Sequence, residues 1–175
     1  PTAMSIWSPR ASTWRSAWVR GELPDSRLAA RKLEDAALCL VAAPDYLRRA
    51  GSPQTLEELA GHPCLPFVMP STGRIGAWAL RDEAGRDVDW QPTATLQVAD
   101  DVLGVVSLAE AGAGICQTYE FVARQRLASG RLVEVLPQSR GRSRSFSLIY
   151  PPHRSLSAAS RALIATLVAV AAEQG

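Results

Sequence analysis

Seven consecutive apolar residues, AALCLVA (Ala36–Ala42), are followed two positions later by Pro44. An uninterrupted apolar run of that length reads as a strand buried on both faces, the kind found in a parallel sheet. Pro44 then suits the first turn of a helix, PDYLRRAG, which Gly51 closes. Thr55 and Glu58 form a capping box ahead of LEELAG, so a second helix starts at once and ends at Gly61. CLPFVM (Cys64–Met69) is the next strand, with Pro66 placing it at an edge or a strand start. A chain that alternates in this way is committed to an α/β fold.

The alternation continues. WALR and RDVDW flank the turn DEAG as a hairpin, and TATLQV alternates so that Ala94, Leu96 and Val98 share one face. Asp100 or Asp101 caps VLGVVSLAEAG, a helix apolar nearly all round, therefore expected to be buried, and stopped at Gly112. GAGICQT is a short strand, YEFVARQRLASG a helix closed by Gly130, and RLVEVL another strand. Strand, helix, strand, helix, strand predicts a parallel sheet with crossover helices. QSRGRSRS (Gln138–Ser145) is a polar loop and a crossing point between lobes, and SFSLIY is the last strand. Ser155 or Ser157 caps a final helix with Leu163, Ile164, Leu167, Val168 and Ala171 on one side.

Composition removes several classes of function. With 47% hydrophobic and 21% charged residues, a chain of 175 residues is an ordinary globular protein with one sizeable core or two small lobes. The net charge of +2 is spread without runs, so the chain itself has no electrostatic footprint for nucleic acid. Cys39, Cys64 and Cys116 are odd in number and far apart, which fits neither a disulfide framework nor a zinc knuckle and points to a reducing cytoplasm. No secretory signal pattern opens the sequence, and the most apolar segment, ALIATLVAVAA, is too short for a bilayer. No membrane partner is expected.

Candidate chemistry is sparse. His62 and Cys64 in GHPCL and Cys116 in GAGIC raise a nucleophile pair or a metal site, but with only His62 and His153 in the chain the ordinary role of buried cysteine as a small hydrophobe is preferred. Asp100 and Asp101 diverge from adjacent positions and suit helix capping better than acid/base work. PSTGR (Pro70–Arg74) follows a strand end, where α/β sheets bind ligands; it is either a plain turn or a cradle of two hydroxyls, free amides and a cation. The glycines of GAGIC serve either tight packing or close approach of a ligand.

The ordered motifs RGELPDS, LAARKL, LCLVAAPDYLRRAGSPQTLEELAGHPCL, ADDVLGVVSLAEAGAGI and LASGRLVEVLP, with a closing helix after SLIYPP, resemble the effector-binding domain of LysR-type transcriptional regulators from about Arg20 to Val170. The resemblance implies two Rossmann-like lobes, each with a mixed sheet, in a periplasmic type 2 binding-protein-like α/β fold with the first lobe incomplete. Residues 19–41 and 146–172 would form the first lobe and residues 42–138 the second, with crossovers at Ala42–Pro44 and within residues 139–145. It also implies a small-molecule effector, such as a carboxylate, held by Ser71 and Thr72, with Asp101, Val102 and Arg20 facing the cleft. No metal, cofactor or catalytic residue is implied. The family acts as homo-oligomers and reaches DNA through a helix-turn-helix domain that this sequence lacks. An incomplete first lobe predicts poor stability alone or association through exposed sheet edges. A solute-binding protein of a transport system shares the fold and is the main alternative; a small hydrolase is a weaker one.

The stretch MSIWSPRASTWRSAWVR (Met4–Arg20) fits none of this, because its apolar residues follow neither a helical nor a strand period. Back-translated with GC-rich codons and read from the third base, Met4–Trp18 becomes VDLVAEGVDVAVRV, which is similar to the family text before RGELPDS. Residues 1–18 are therefore expected to be an out-of-frame segment, with the domain's own information starting at Val19.

Overall fold

The computed structural model describes residues 15–18, 29–69, 73–93, 96–99, 101–151 and 156–174. In chain order its strands are β1 (Arg15–Trp18), β2 (Ala29–Ala36), β3 (Leu38–Ala42), β4 (Phe67–Met69), β5 (Arg74–Ile75), β6 (Trp78–Arg81), β7 (Asp87–Trp90), β8 (Val98–Ala99), β9 (Cys116–Tyr119), β10 (Val133–Val135) and β11 (Arg144–Tyr150). The helices are α1 (Pro44–Ala50), α2 (Leu56–Ala60), α3 (Val102–Glu110), α4 (Glu120–Ala128) and α5 (Ala158–Gln174). Two compact units result: Ala37–Ser143, and the residues up to Ala36 together with those from Arg144 onward.

In the Ala37–Ser143 unit β3 is central, between β10 and β9. All five of its residues are buried because alternate side chains enter two different cores. Leu40 and Ala42 join Tyr46, Leu59, Trp78 and Leu80 on one face, while Cys39 and Val41 join Val105, Val106, Ala109 and Ala123 of α3 and α4 on the other. Burying a leucine- or valine-sized side chain contributes about 1.5–3 kcal/mol, so this one strand organises the unit.

The sequence pattern predicts a parallel sheet, and the sheet around β3 is instead antiparallel. β3 runs antiparallel to both neighbours, pairing Cys39 with Thr118 and Glu134 with Val41. Two short helices, α1 and α2, connect β3 to β4, which belongs to a separate sheet. Parallel order survives between β4 and β8 and in the bridge from Cys64 to Ile115. β3 itself belongs with residues 37–143, whereas the sequence reading assigns its first four residues to the other lobe. The physical cause is a change of partner between neighbours: Ala36 pairs with Arg144, and the carbonyl of Ala37 accepts from the Glu120 N–H at 3.0 Å.

Local signals hold well. Thr55 accepts from the Glu58 N–H at 3.1 Å, and Gly51 ends α1 with φ 85°. The hairpin β6–β7 forms around DEAG, and Ser157 accepts from the Ser160 N–H at 3.1 Å to start α5. Three expectations fail. Among the described residues of TATLQV, Val98 alone lies in a strand, the first residue of β8, and Leu96 is exposed, because β8 is a short edge paired with β4. α3 buries one face, leaving Leu103 58% exposed. On α5, Ile164 is buried but Leu163 and Leu167 are exposed, since the helix covers β2 with one narrow stripe.

The other unit has the sheet order β1-β11-β2. Strand pairing of Arg15–Trp18 with Phe146–Ile149 corrects the aperiodic reading of that stretch; backbone hydrogen bonding needs no side-chain period. Leu148, Tyr150, Leu156 and Ile164 form its core, with Leu33 against them. The register shifts at Leu33, a bulge, and the free edge of β2 carries exposed Arg31, Lys32, Glu34 and Asp35.

Candidate functional site

β4 and β8 lie side by side and parallel, with Phe67 opposite Val98 and Val68 opposite Ala99. Both strands therefore deliver the chain to the same end of their sheet, the end where ligands bind in open α/β folds. From β4 the chain enters residues 70–72, after which the Gly73 N–H returns to the Met69 carbonyl at 2.8 Å. From β8 it passes to Asp101 and α3. The expected residues Ser71, Thr72 and Arg20 lie outside the described residues, as does Asp100; Asp101 and Val102 start α3 just after β8.

Asp101 is the N-cap of α3. Its backbone is extended and its Oδ1 accepts from the Gly104 N–H at 2.8 Å. A carboxylate there satisfies an orphan donor and complements the positive end of the helix. That end is thus already occupied by a protein anion. Val102 beside it is half-buried and Leu103 is exposed, so the start of α3 combines one acid with apolar surface.

The cysteine and histidine candidates are structural. The Tyr46 hydroxyl and His62 Nδ1 share a hydrogen bond of 2.7 Å, with the rings edge to face. The Cys64 thiol turns to the main-chain carbonyls of His62 and Leu59, not to the imidazole. Burial pushes the Cys64 thiol up to about 11 and that of Cys39 up to about 12, with Glu134 adding to the latter; burial raises Cys116 as well. None of the three offers a thiolate near neutral pH. Among the described residues no group of three or more His, Cys, Asp or Glu could hold a metal ion, and no helix is long and apolar enough to cross a membrane.

The ambiguity in GAGIC resolves at Gly114. A Cβ there would lie 2.2 Å from the Pro63 carbonyl oxygen, and that carbonyl accepts from the Ile115 N–H at 2.9 Å. Close chain-to-chain packing demands the glycine.

Two residues that sequence reasoning did not single out organise the unit. Gln117 on β9 bonds both backbone groups of Ala79 on β6. Arg140 binds Glu134 of β10 and Glu120 of α4. A polar residue inside the apolar text GICQTY was a signal for the first; nothing separates Arg140 from the other arginines of QSRGRSRS.

Comparison with known proteins shows the family and the fold. Residues 17–172 match the model of the LysR substrate binding domain. The HTH-type transcriptional regulator CrgA of Neisseria meningitidis is 34% identical over 149 residues, covering 85% of this chain and 48% of CrgA. The uncharacterized HTH-type regulator YhjC of Escherichia coli is 32% identical, covering 78% of this chain and 45% of YhjC. The chain thus spans about half the length of these relatives. Among solved structures, the CrgA regulatory domain superposes with a TM-score of 0.71 at 32% identity, covering 85% of this chain and 71% of that one. Full-length AphB, the Vibrio cholerae virulence activator, superposes at 0.71 with 28% identity over 84% of this chain and 49% of AphB. The mixed α/β fold is that of these regulatory domains, type 2 periplasmic-binding-protein-like. The chain belongs to the LysR substrate-binding domain family.

Proposed function

We propose that this chain is the effector-binding regulatory part of a LysR-type transcriptional regulator. The observation that supports the reading, beyond family membership, is the parallel pair β4 and β8, whose last residues, Met69 and Ala99, lie at one end of their sheet, with α3 following β8. In this reading Ala37–Ser143 is the second lobe and the flanking segments are the first. Ser71 and Thr72 hold a polar or carboxylate group of a small molecule, with Asp101, Val102 and Arg20 as its further contacts. With Asp101 already capping α3, an acidic group of the effector is directed to the 70–72 connection, away from the helix start.

The effector acts by population shift: it binds one arrangement of the regulator better than another and so changes how attached helix-turn-helix domains sit on DNA. Homo-oligomerisation and a cytoplasmic location belong to this reading, and no covalent step does. A thermal-shift screen of small carboxylates and aromatic acids against the full-length regulator tests it. A ligand at a hundred times its Kd adds about 2.7 kcal/mol, a clear rise in Tm. Ser71→Ala should abolish most of the rise, and Asp101→Asn, which keeps a capping oxygen, should alter ligand preference without unfolding the protein. A flat screen in every condition would count against effector binding.

A further inference from the structure

Residues 137–143 lead back from β10 toward β11. A loop of such composition would ordinarily be free to flex, yet this one is fastened at nearly every position. The Gln138 side chain donates to the Gln54 carbonyl at 3.1 Å, and Ser139 is buried in a 3-10 turn over Pro137–Ser139. Arg140 presents Nε and Nη2 to the two oxygens of Glu134 at 2.5 and 2.8 Å, while its Nη1 reaches Glu120 at 2.8 Å. One planar guanidinium thereby joins the crossover to both β10 and the first turn of α4. Its backbone forms an antiparallel bridge with Leu80 of β6. Gly141 lies so close to β6 that a Cβ would fall 2.6 Å from the Ala79 carbonyl carbon and oxygen, and Arg142 is paired with Asp89 of β7.

We infer that Arg140 is a positioning residue that locks the return crossover, residues 137–142, onto the rest of the Ala37–Ser143 unit. Ala36 pairs with Arg144 on one side, and one residue later Ala37 is bonded to Glu120. Glu120 is therefore held twice, through its backbone by the first crossover and through its carboxylate by the second. This couples both crossovers to the start of α4, and it does not depend on which effector binds.

Hydrogen exchange on the whole chain, followed by mass spectrometry, reads this directly. In the wild type, peptides covering residues 137–142 should exchange as slowly as those covering β6. Arg140→Leu should raise their exchange at least about tenfold while peptides covering β3 and β9 stay within about twofold. Arg140→Lys, which keeps the charge and loses the fork, should fall between. If Arg140→Leu does not fold, Gly141→Ala tests the same fastening from the β6 side. Exchange of residues 137–142 at an unstructured rate in the wild type, or a uniform rise across β3 and β9 in the variants, overturns the inference.

Discussion

The carboxamide of Gln117 occupies both backbone groups of Ala79: Nε2 donates to the Ala79 carbonyl at 2.9 Å, and Oε1 accepts from the Ala79 N–H at 3.0 Å. A side chain here does what a strand backbone does, tying the β6–β7 hairpin to β9. Ala79 is 1% exposed, so neither group has water as a substitute. Gln117→Leu should cost about 1–3 kcal/mol for the two groups left unpaired, read as a lower denaturant midpoint with unchanged m. A variant as stable as the wild type would show that these two hydrogen bonds do not hold the hairpin to β9.

Thr118, the next residue, is 3% exposed, and its hydroxyl has no hydrogen-bond partner among the described groups. Thr118→Val keeps the shape and removes the orphan. The expected result is a change between none and about 1 kcal/mol of added stability. A loss beyond about 1 kcal/mol would mean that the hydroxyl is satisfied in solution.

Glu110, at the end of α3, is poorly placed for the helix dipole and is rescued by Arg126 at 2.6 Å and Arg131 at 2.9 Å. The Arg126 hydrogen bond, with Arg131 adding, holds its carboxyl below the usual range. A carboxyl depressed in the folded state stabilises above its unfolded pKa of about 4.3 and loses that contribution as pH falls through the folded value. Glu110→Gln should therefore lower Tm at pH 7, and the gap to wild type should close below about pH 4. A gap that stays constant with pH would assign the effect to packing.

The three thiols give a direct measure of core integrity. Cys39, Cys64 and Cys116 are all buried, and burial raises each thiol. A maleimide at neutral pH should leave the native protein unlabelled and modify all three cysteines in denaturant. Rapid labelling of one thiol under native conditions would reveal local opening around it.

Much of the fold was legible residue by residue. Gly51, Thr55, Asp101 and Ser157 mark helix ends through bonds made within three or four residues of themselves, and Pro44 through its own fixed φ, so their meaning is local. The DEAG hairpin and the apolar run Ala36–Ala42 belong to the same class. The family resemblance rested on the spacing of such marks, and the parallel strand end that bears Asp101 agrees with it.

Strand direction, partner exchange and side-chain exposure were decided only in three dimensions. Whether β3 runs with or against β9 depends on pairings such as Cys39 with Thr118, and whether Ala36 and Ala37 part company depends on Arg144 and Glu120, all distant in sequence. Leu103 and Leu163 look like core residues in the text yet are exposed, because an apolar side chain is buried only where another element covers it. Local hydrogen bonds and periodicity are properties of the sequence itself; direction, cover and long-range ion pairing such as Arg140 with Glu120 belong to the tertiary arrangement, because each needs a partner that the chain brings near only by folding.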